Sequence, residues 1–526
     1  MLAAMLAFYV LTGLFGRDPW KGEDAIHIGT AWQMLTQGSW LLPELAGRPF
    51  HEAPLYYWTA AFSGQIFGSL FALHDAIRLA SGFWVALALT GLYYAGRELY
   101  GQESAAASPL LLAGSVGLMI HAHDAQPMLV ALAAYTAGLG ALAVIARKPR
   151  LTGLFYGLAL AACFLGVGPL PTLPLLLLGP VAVGLSNERR QALKTLLLGL
   201  ALAVVLATPW PLWLFLHAPE RFAQWWAIEC AGEPLTHFVE HSRRLAHLLP
   251  WFAFPALPLA AWTLWLRRRR WRETPHSLPL IFFLITAALL PLITLPGEIP
   301  LLLLLPSLAL MATPGALALR RGAANAFDWF AMTTFSLFAA LTWLAWSAMA
   351  LGWPEKLARR VVTLRPGFMG EIGWPGLAAA VLVSVVWLWL IVTAPRSPYR
   401  SLIHWTLGFT TFWMLAVALI LPWFDYGKSY RPVAQAIARL LPDSPSCVAE
   451  RNLTDTQRAS LAYFAGIEPF TVNTPQGQKC RWLLVTGDTP PELAAPGRQW
   501  HKVWEGSRPG DKREKFRLYR REESKH

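Results

Sequence analysis

Two carboxylates stand side by side at Glu23 and Asp24, just after the first apolar segment, and a third, Asp124, stands in HAHDAQP (121–127) between two later apolar runs. Ionisable side chains at the edge of a membrane are costly, so carboxylates placed there are functional candidates. The chemistry they suit is general-base catalysis. One carboxylate takes a proton from an acceptor hydroxyl within hydrogen-bond reach, and a second orients the acceptor or stabilises positive charge as a bond breaks. Helix capping is the competing reading, because an Asp ahead of a helix accepts free backbone N–H groups: Asp24 before the segment that follows it, Asp124 before a helix opening near Gln126. His27, His121 and His123 crowd the same region. They read as hydrogen-bond partners; a divalent-metal site is disfavoured because no tight ligand spacing such as HExxH accompanies them, and no cofactor is called for.

An anionic substrate needs cations. The candidates are Arg48, Arg221, Arg243 and Arg244, the last two concentrated in GEPLTHFVEHSRRLAHLLPW (232–251). Arg suits bidentate phosphate contacts, with ordinary lipid headgroups as the competing partner. Glu229, Glu233, His237, Glu240 and His241 share this loop, either shaping an acceptor site or merely facing water.

The elements that must position these residues are membrane spans. Of 526 residues 55% are hydrophobic and 14% charged, with mean hydropathy +0.41. Repeated apolar runs of about 18 or more residues exclude a soluble fold and predict a polytopic α-helical membrane protein of about 13 transmembrane helices. They fall near 2–16, 76–96, 104–121, 126–146, 152–168, 170–186, 193–216, 248–266, 277–296, 299–319, 326–352, 375–394 and 402–423. Basic clusters at 147–150, 189–190, 267–272, 320–321 and 396–400 share one side if the N-terminus is cytoplasmic. The first span has no basic flank or small-residue cleavage site and reads as a retained helix. The net charge of +13 then lies largely in short cytoplasmic loops, which argues against nucleic-acid binding.

This topology sends 17–75, 121–125, 217–247, 353–374 and the tail to the outer side. In the first of these, Ala25, Ile28, Trp32 and Leu35 recur at helical spacing, predicting an amphipathic helix along the membrane surface. Pro54 starts a second helix, with Tyr56, Tyr57 and Trp58 suited to the interface. The chain divides into a membrane domain (1–423) and a small soluble α/β domain (424–526). In the tail, a helix near 430–441 precedes a strand from Cys447, a helix near 455–465, a strand from Arg481, then HKVWEG and KFRLYR. Cys447 and Cys480 each precede a strand and pair in an oxidising compartment if those strands are neighbours.

An acidic pair after the first span, then QMLTQGSWLLPELAGRPFHEAPLYYW (33–58), IRLASGFW (77–84), the acidic site at HAHDAQP and LPSLALMA (305–312) resemble the C superfamily of membrane glycosyltransferases. The likeness is to its aminoarabinose transferase and protein O-mannosyltransferase-like group, and covers essentially the whole chain. The resemblance implies an inverting transfer of a sugar from a polyprenyl-phosphate donor to a lipopolysaccharide-type lipid, a glycan or a protein, at the outer face of a bacterial inner membrane. It implies the first acidic site, Glu23 with Asp24, as the catalytic base and the second, at Asp124, as support for substrate binding; with Glu23, Asp24 and Asp124 as the catalytic candidates, His27, Arg48, His51, Glu52, Tyr57, His123, Arg243 and Arg244 are the residues expected around the substrates. Glu23 falls where the family has its first Asp. Ala53, in Phe50-His51-Glu52-Ala53-Pro54, occupies the place of a phosphate-binding Lys, and a second family Lys is missing near Pro296-Gly297-Glu298. Those departures make a non-catalytic, polyprenyl-lipid-binding or scaffolding relative the alternative.

Overall fold

The computed structural model describes all residues except 1, 21, 233–234, 271–272, 294–296, 443–446, 495–496, 498, 512 and 523–526. Glu233, Arg272 and Pro296 therefore lie outside the described residues. The chain is mostly helical, with a small sheet domain at its C-terminal end.

Eight helices among the described residues are long and apolar enough to cross a membrane: Leu73–Tyr100, Pro149–Val167, Arg189–His217, Thr274–Leu292, Ile299–Leu317, Arg321–Ala350, Trp374–Thr393 and Arg400–Lys428. Helices suit this setting because each backbone N–H finds its carbonyl within the segment. Two further helices, Phe238–Phe252 and Ala256–Leu266, meet at 92° and make a ninth span if counted together. The sequence reading placed one span at 248–266; the helix instead breaks before Pro255, which has no N–H to continue the ladder. Leu2–Leu11, Met128–Leu142 and Pro169–Leu185 are shorter apolar helices. Ile299–Leu317 is the most enclosed span, its Leu301 to Leu305 sitting in the main apolar core with Leu129, Val130 and Leu132.

The first long loop departs from the sequence expectation. Its helix Gly22–Gln37 does not lie open on the membrane surface: Asp24, His27, Ile28, Thr30, Gln33 and Met34 are all buried. The tail helix Asp455–Ala465 covers it, and a Cβ on Gly29 would lie 2.9 Å from the Ala459 Cβ, so the close approach depends on that glycine. A short hairpin follows, β1 (Glu44–Leu45) with β2 (Arg48–Pro49), turned by Ala46 and Gly47 at positive φ. Pro54 then leads into Leu55–Phe67. Tyr56 and Tyr57 are fully buried there, not interfacial, because their ring edges find polar partners inside: Tyr56 on Ser81 at 2.8 Å, Tyr57 on Glu52 at 2.5 Å.

The tail carries a five-stranded sheet of β3 (Val448–Arg451), β4 (Phe470–Thr471), β5 (Trp482–Gly487), β6 (Trp500–Gly506) and β7 (Lys515–Arg521), in the order β4-β3-β5-β7-β6. β3 runs parallel to β4 and β5, and β7 antiparallel to β5 and β6. Helices Arg431–Ala438 and Asp455–Ala465 bury Val433, Ile437 and Leu461 against Leu484, Phe516 and Leu518. Thr454 and Gln457 form a capping box at the second helix. The tail is tied to the first loop by Arg48 on Glu450 (2.7 Å), Gln37 on Glu468 (2.7 Å) and His74 on Tyr463 (2.9 Å).

A disulfide joins Cys447 to Cys480, just ahead of the neighbouring strands β3 and β5. With the two cysteines 33 positions apart, changing both to Ser is expected to destabilise the tail by about 3–4 kcal/mol on the loop-closure relation. Proteolysis of the tail in rising urea, with and without the bridge, measures that loss.

Candidate active site

On helix Gly22–Gln37 the i, i+4 spacing places His27 over Glu23, while Asp24 is turned about 100° away from Glu23 around the helix. The His27 Nε2 lies 3.4 Å from Glu23 Oε2, and Nδ1 lies 2.6 Å from the Tyr57 hydroxyl. Tyr57 donates to Glu52 at 2.5 Å, so its oxygen accepts from the His27 Nδ1–H. His27 therefore bridges two carboxylates. Burial opposes a charge on this imidazole, but Glu52 and Glu23 outweigh it and raise its pKa above the ordinary value. In return, the hydrogen bond from His27 lowers the Glu23 pKa despite burial, whereas Glu52, more strongly desolvated, is raised.

These groups open on a cleft whose empty space, open solvent included, is about 830 Å³. Glu23, His27, His51, Glu52 and Gln126 form its polar end; Val167, Leu170, Pro171, Ile228, Ile293 and Ile299 make an apolar wall. Glu229 reaches in from helix Pro219–Ala231, and burial followed by the charge of Glu52 pushes its pKa well above the carboxylate range. Its carboxylate rests against Gly168, where a side chain would collide with it.

The structure divides the three carboxylates that the sequence grouped as catalytic. Glu23 faces the cavity, whereas Asp24 and Asp124 do not line it and are held by arginines. Asp24 is 0% exposed and takes a two-pronged contact from Arg78, Nε at 3.0 Å and Nη2 at 2.7 Å, with the Ala125 N–H at 2.8 Å. Burial alone would raise its pKa, but Arg78 and Arg17 outweigh burial and lower it. Arg17 joins the two sites, with Nη2 3.3 Å from Asp24 and 2.7 Å from Asp124. Neither Arg17 nor Arg78 was singled out from the sequence; the signal was a cation at the edge of an apolar run, Arg78 lying within IRLASGFW itself.

The other candidates scatter. His51 and Glu52 line the cavity, and Tyr57 stands behind them. His123 is buried away from it, donating to the Tyr9 carbonyl at 2.9 Å, and burial pushes its pKa down to about 4. Arg48 is engaged by Glu450, and Arg243 and Arg244 are exposed on helix Phe238–Phe252 and do not line the cavity. Arg221 is nearer: it lines an adjoining recess with His51 and Glu52 and pairs with Glu44 at 3.0 Å. Among the described residues the cavity wall contains no Lys or Arg, and no group of three or more His, Cys, Asp or Glu is arranged to hold a metal.

Residues 51–213 match the family model of dolichyl-phosphate-mannose-protein mannosyltransferases. The chain is 28% identical over 426 residues to undecaprenyl phosphate-alpha-4-amino-4-deoxy-L-arabinose arabinosyl transferase 1 of Sodalis glossinidius, spanning 75% of this chain and 71% of that one. It is 26% identical to the arabinosyl transferase of Serratia proteamaculans, spanning 59% of this chain and 58% of the relative. The fold matches ArnT from Cupriavidus metallidurans, solved bound to undecaprenyl phosphate, with TM-score 0.68 over 98% of this chain and 96% of that one at 16% identity. It also matches the Archaeoglobus fulgidus oligosaccharyltransferase, with TM-score 0.51 over 92% of this chain and 68% of that one at 10% identity. A multi-pass helical body, a loop carboxylate opening on a half-apolar cavity, and these matches converge on one assignment: the chain is a membrane glycosyltransferase, similar to the aminoarabinose transferases of the C superfamily.

Proposed function

We propose that this enzyme moves a sugar from a polyprenyl-phosphate carrier to a lipopolysaccharide-type glycolipid by an inverting displacement in which Glu23 is the general base. The observation that carries this reading is the position of Glu23, the one of the three candidate carboxylates at the polar end of a cavity with an apolar wall. The wall suits prenyl carbon, and the polar end suits the sugar and its phosphate. By likeness to the arabinosyl transferases, the donor is undecaprenyl phosphate carrying 4-amino-4-deoxy-arabinose. Glu23, kept ionised by His27, takes the proton of the acceptor as its oxygen attacks the anomeric carbon, and the carrier phosphate leaves. Protonated His27, together with Arg221 beside His51, offsets the phosphate charge in place of the family Lys at Ala53. Asp24 and Asp124 act as positioning residues: through Arg17 and Arg78 they hold the helix that carries Glu23.

We further assign about 13 crossings, with a cytoplasmic N-terminus and a periplasmic tail in a bacterial inner membrane. The shorter apolar helices, the bent pair and the segment 107–121 supply the crossings beyond the eight long spans.

The test is transfer by the purified full chain from undecaprenyl-phosphate-linked aminoarabinose to lipopolysaccharide, read as a mass increment on the lipid. The expected product has the inverted anomeric configuration. The absence of Lys and Arg from the described cavity wall favours the non-catalytic alternative. Binding of undecaprenyl phosphate with no turnover from any donor would establish that alternative instead.

A pH profile gives an independent check. Because His27 lowers the Glu23 pKa, protonation of the base, and with it the loss of kcat/KM, occurs only below the usual Glu value of about 4.3. In His27→Gln that acid limb is expected to move upward in pH. A limb that stays in place would remove His27 as the group tuning Glu23.

A further inference from the structure

Among the described residues the acidic end of the cavity holds more carboxyl groups than counter-charges. Glu23, Glu52 and Glu229 all line it, and among the described residues His27 is the one cationic group in contact with Glu23 and Glu52, bridging the two. No hydrogen bond or ion pair among the described residues reaches the Glu229 side chain, although it sits in the wall and senses the charge of Glu52. A carboxylate partly withdrawn from water beside another carboxylate stays charged only if a cation joins them.

A second observation lies in the same wall. Gln126 is 2% exposed, and both its amide oxygen and its amide nitrogen are without partners among the described residues. Buried amides are nearly always hydrogen-bonded, so an orphaned one facing a cavity marks where a ligand supplies the partner. The oxygen accepts and the nitrogen donates, which suits an N–H or O–H group next to a ring hydroxyl.

We propose that Glu229, Glu52 and Gln126 form a subsite for the ammonium group of an amino-deoxy sugar, and that this subsite makes the enzyme select such a donor over its hydroxyl counterpart. The inference rests on the glycosyl-transfer reading and deepens it. An ammonium supplies the missing cation between Glu229 and Glu52, and its three N–H donors match two carboxylates and the Gln126 oxygen. The Gln126 nitrogen is left to a neighbouring hydroxyl of the ring. Gly168, at positive φ, packs against the Glu229 carboxylate, and a side chain there would push that carboxylate aside.

The experiment compares kcat/KM of the full-length protein for two donors, undecaprenyl-phosphate-linked 4-amino-4-deoxy-arabinose and undecaprenyl-phosphate-linked arabinose. The wild type is expected to favour the amino donor by at least about 30-fold, the scale on which buried charge pairs discriminate. Glu229→Gln and Gln126→Ala should bring the ratio to within about 3-fold of unity by losing the amino donor alone, while Glu229→Asp keeps most of it. A ratio unchanged in either variant, or an equal fall with both donors, overturns the subsite. Should the wild type transfer neither sugar, the glycosyl-transfer reading fails by itself. Calorimetric titration with methyl 4-amino-4-deoxy-arabinoside and methyl arabinoside then decides the subsite: preference for the amine that disappears in Glu229→Gln supports it, and equal affinities reject it.

Discussion

Replacing Glu23 by Gln is expected to lower sugar transfer by about 10²–10⁴-fold, the range over which a positioned general base contributes, while leaving the folded protein intact. The size of the effect follows from its place. Glu23 lies at the polar end of the cavity, and its side chain is 35% exposed, so the amide replaces it without burying an unpaired charge. Its hydrogen-bond partner, His27, keeps Tyr57 and Glu52 on its other nitrogen. Parallel measurements of turnover and of the thermal unfolding midpoint separate loss of chemistry from loss of fold. Transfer within tenfold of wild type would remove Glu23 as the base.

The second large effect is expected at Arg78, and it is one of stability. Arg78 and Asp24 are both 0% exposed and joined at 2.7 Å and 3.0 Å. Arg78→Met leaves the Asp24 carboxylate buried with Arg17 at 3.3 Å as its remaining cation, a change of the kind that costs about 3–5 kcal/mol. Asp75 and the Arg17 carbonyl lose a donor as well. Combining Arg78→Met with Asp24→Asn removes both charges and is expected to recover a large part of that loss, since a neutral pair in the same space leaves no unpaired ion. The double-mutant cycle, read by thermal unfolding in detergent, measures the coupling directly. Additive losses would show that the two side chains do not act as a pair.

These two substitutions sit at adjacent ends of one inference. Glu23 and its neighbour Asp24 are chemically alike and one residue apart, yet one faces a cavity and the other a guanidinium. Nothing in the local sequence distinguishes them, because the difference is a rotation of about 100° around a helix whose surroundings come from elsewhere in the chain. Arg17 precedes that helix, Arg78 follows it by 41 to 56 positions, and Asp124 lies further on still. The tail is as distant, yet it covers the same helix through Ala459 and Glu468. An expectation of a helix resting on lipid was reasonable for its apolar stripe alone; the partner that buries it is more than 400 residues away.

What the sequence determined by itself was everything carried by composition and short-range period. The tail strands, the helix over 455–465 and eight of the apolar runs are local properties, set by alternation, capping and hydropathy, and they reappear in the fold where those patterns placed them, whereas the run at 248–266 is broken. The acidic region near Glu23 was legible for the same reason, as ionisable groups beside hydrocarbon are conspicuous. The tertiary structure alone decided which carboxylate meets the cavity, which arginines neutralise the others, that Tyr56 and Tyr57 turn inward, and that Glu229 and Gln126 share one wall. Each of these depends on contacts between segments far apart in the chain, and such contacts are selected by packing and by the pairing of buried charges, neither of which has a period that a sequence displays.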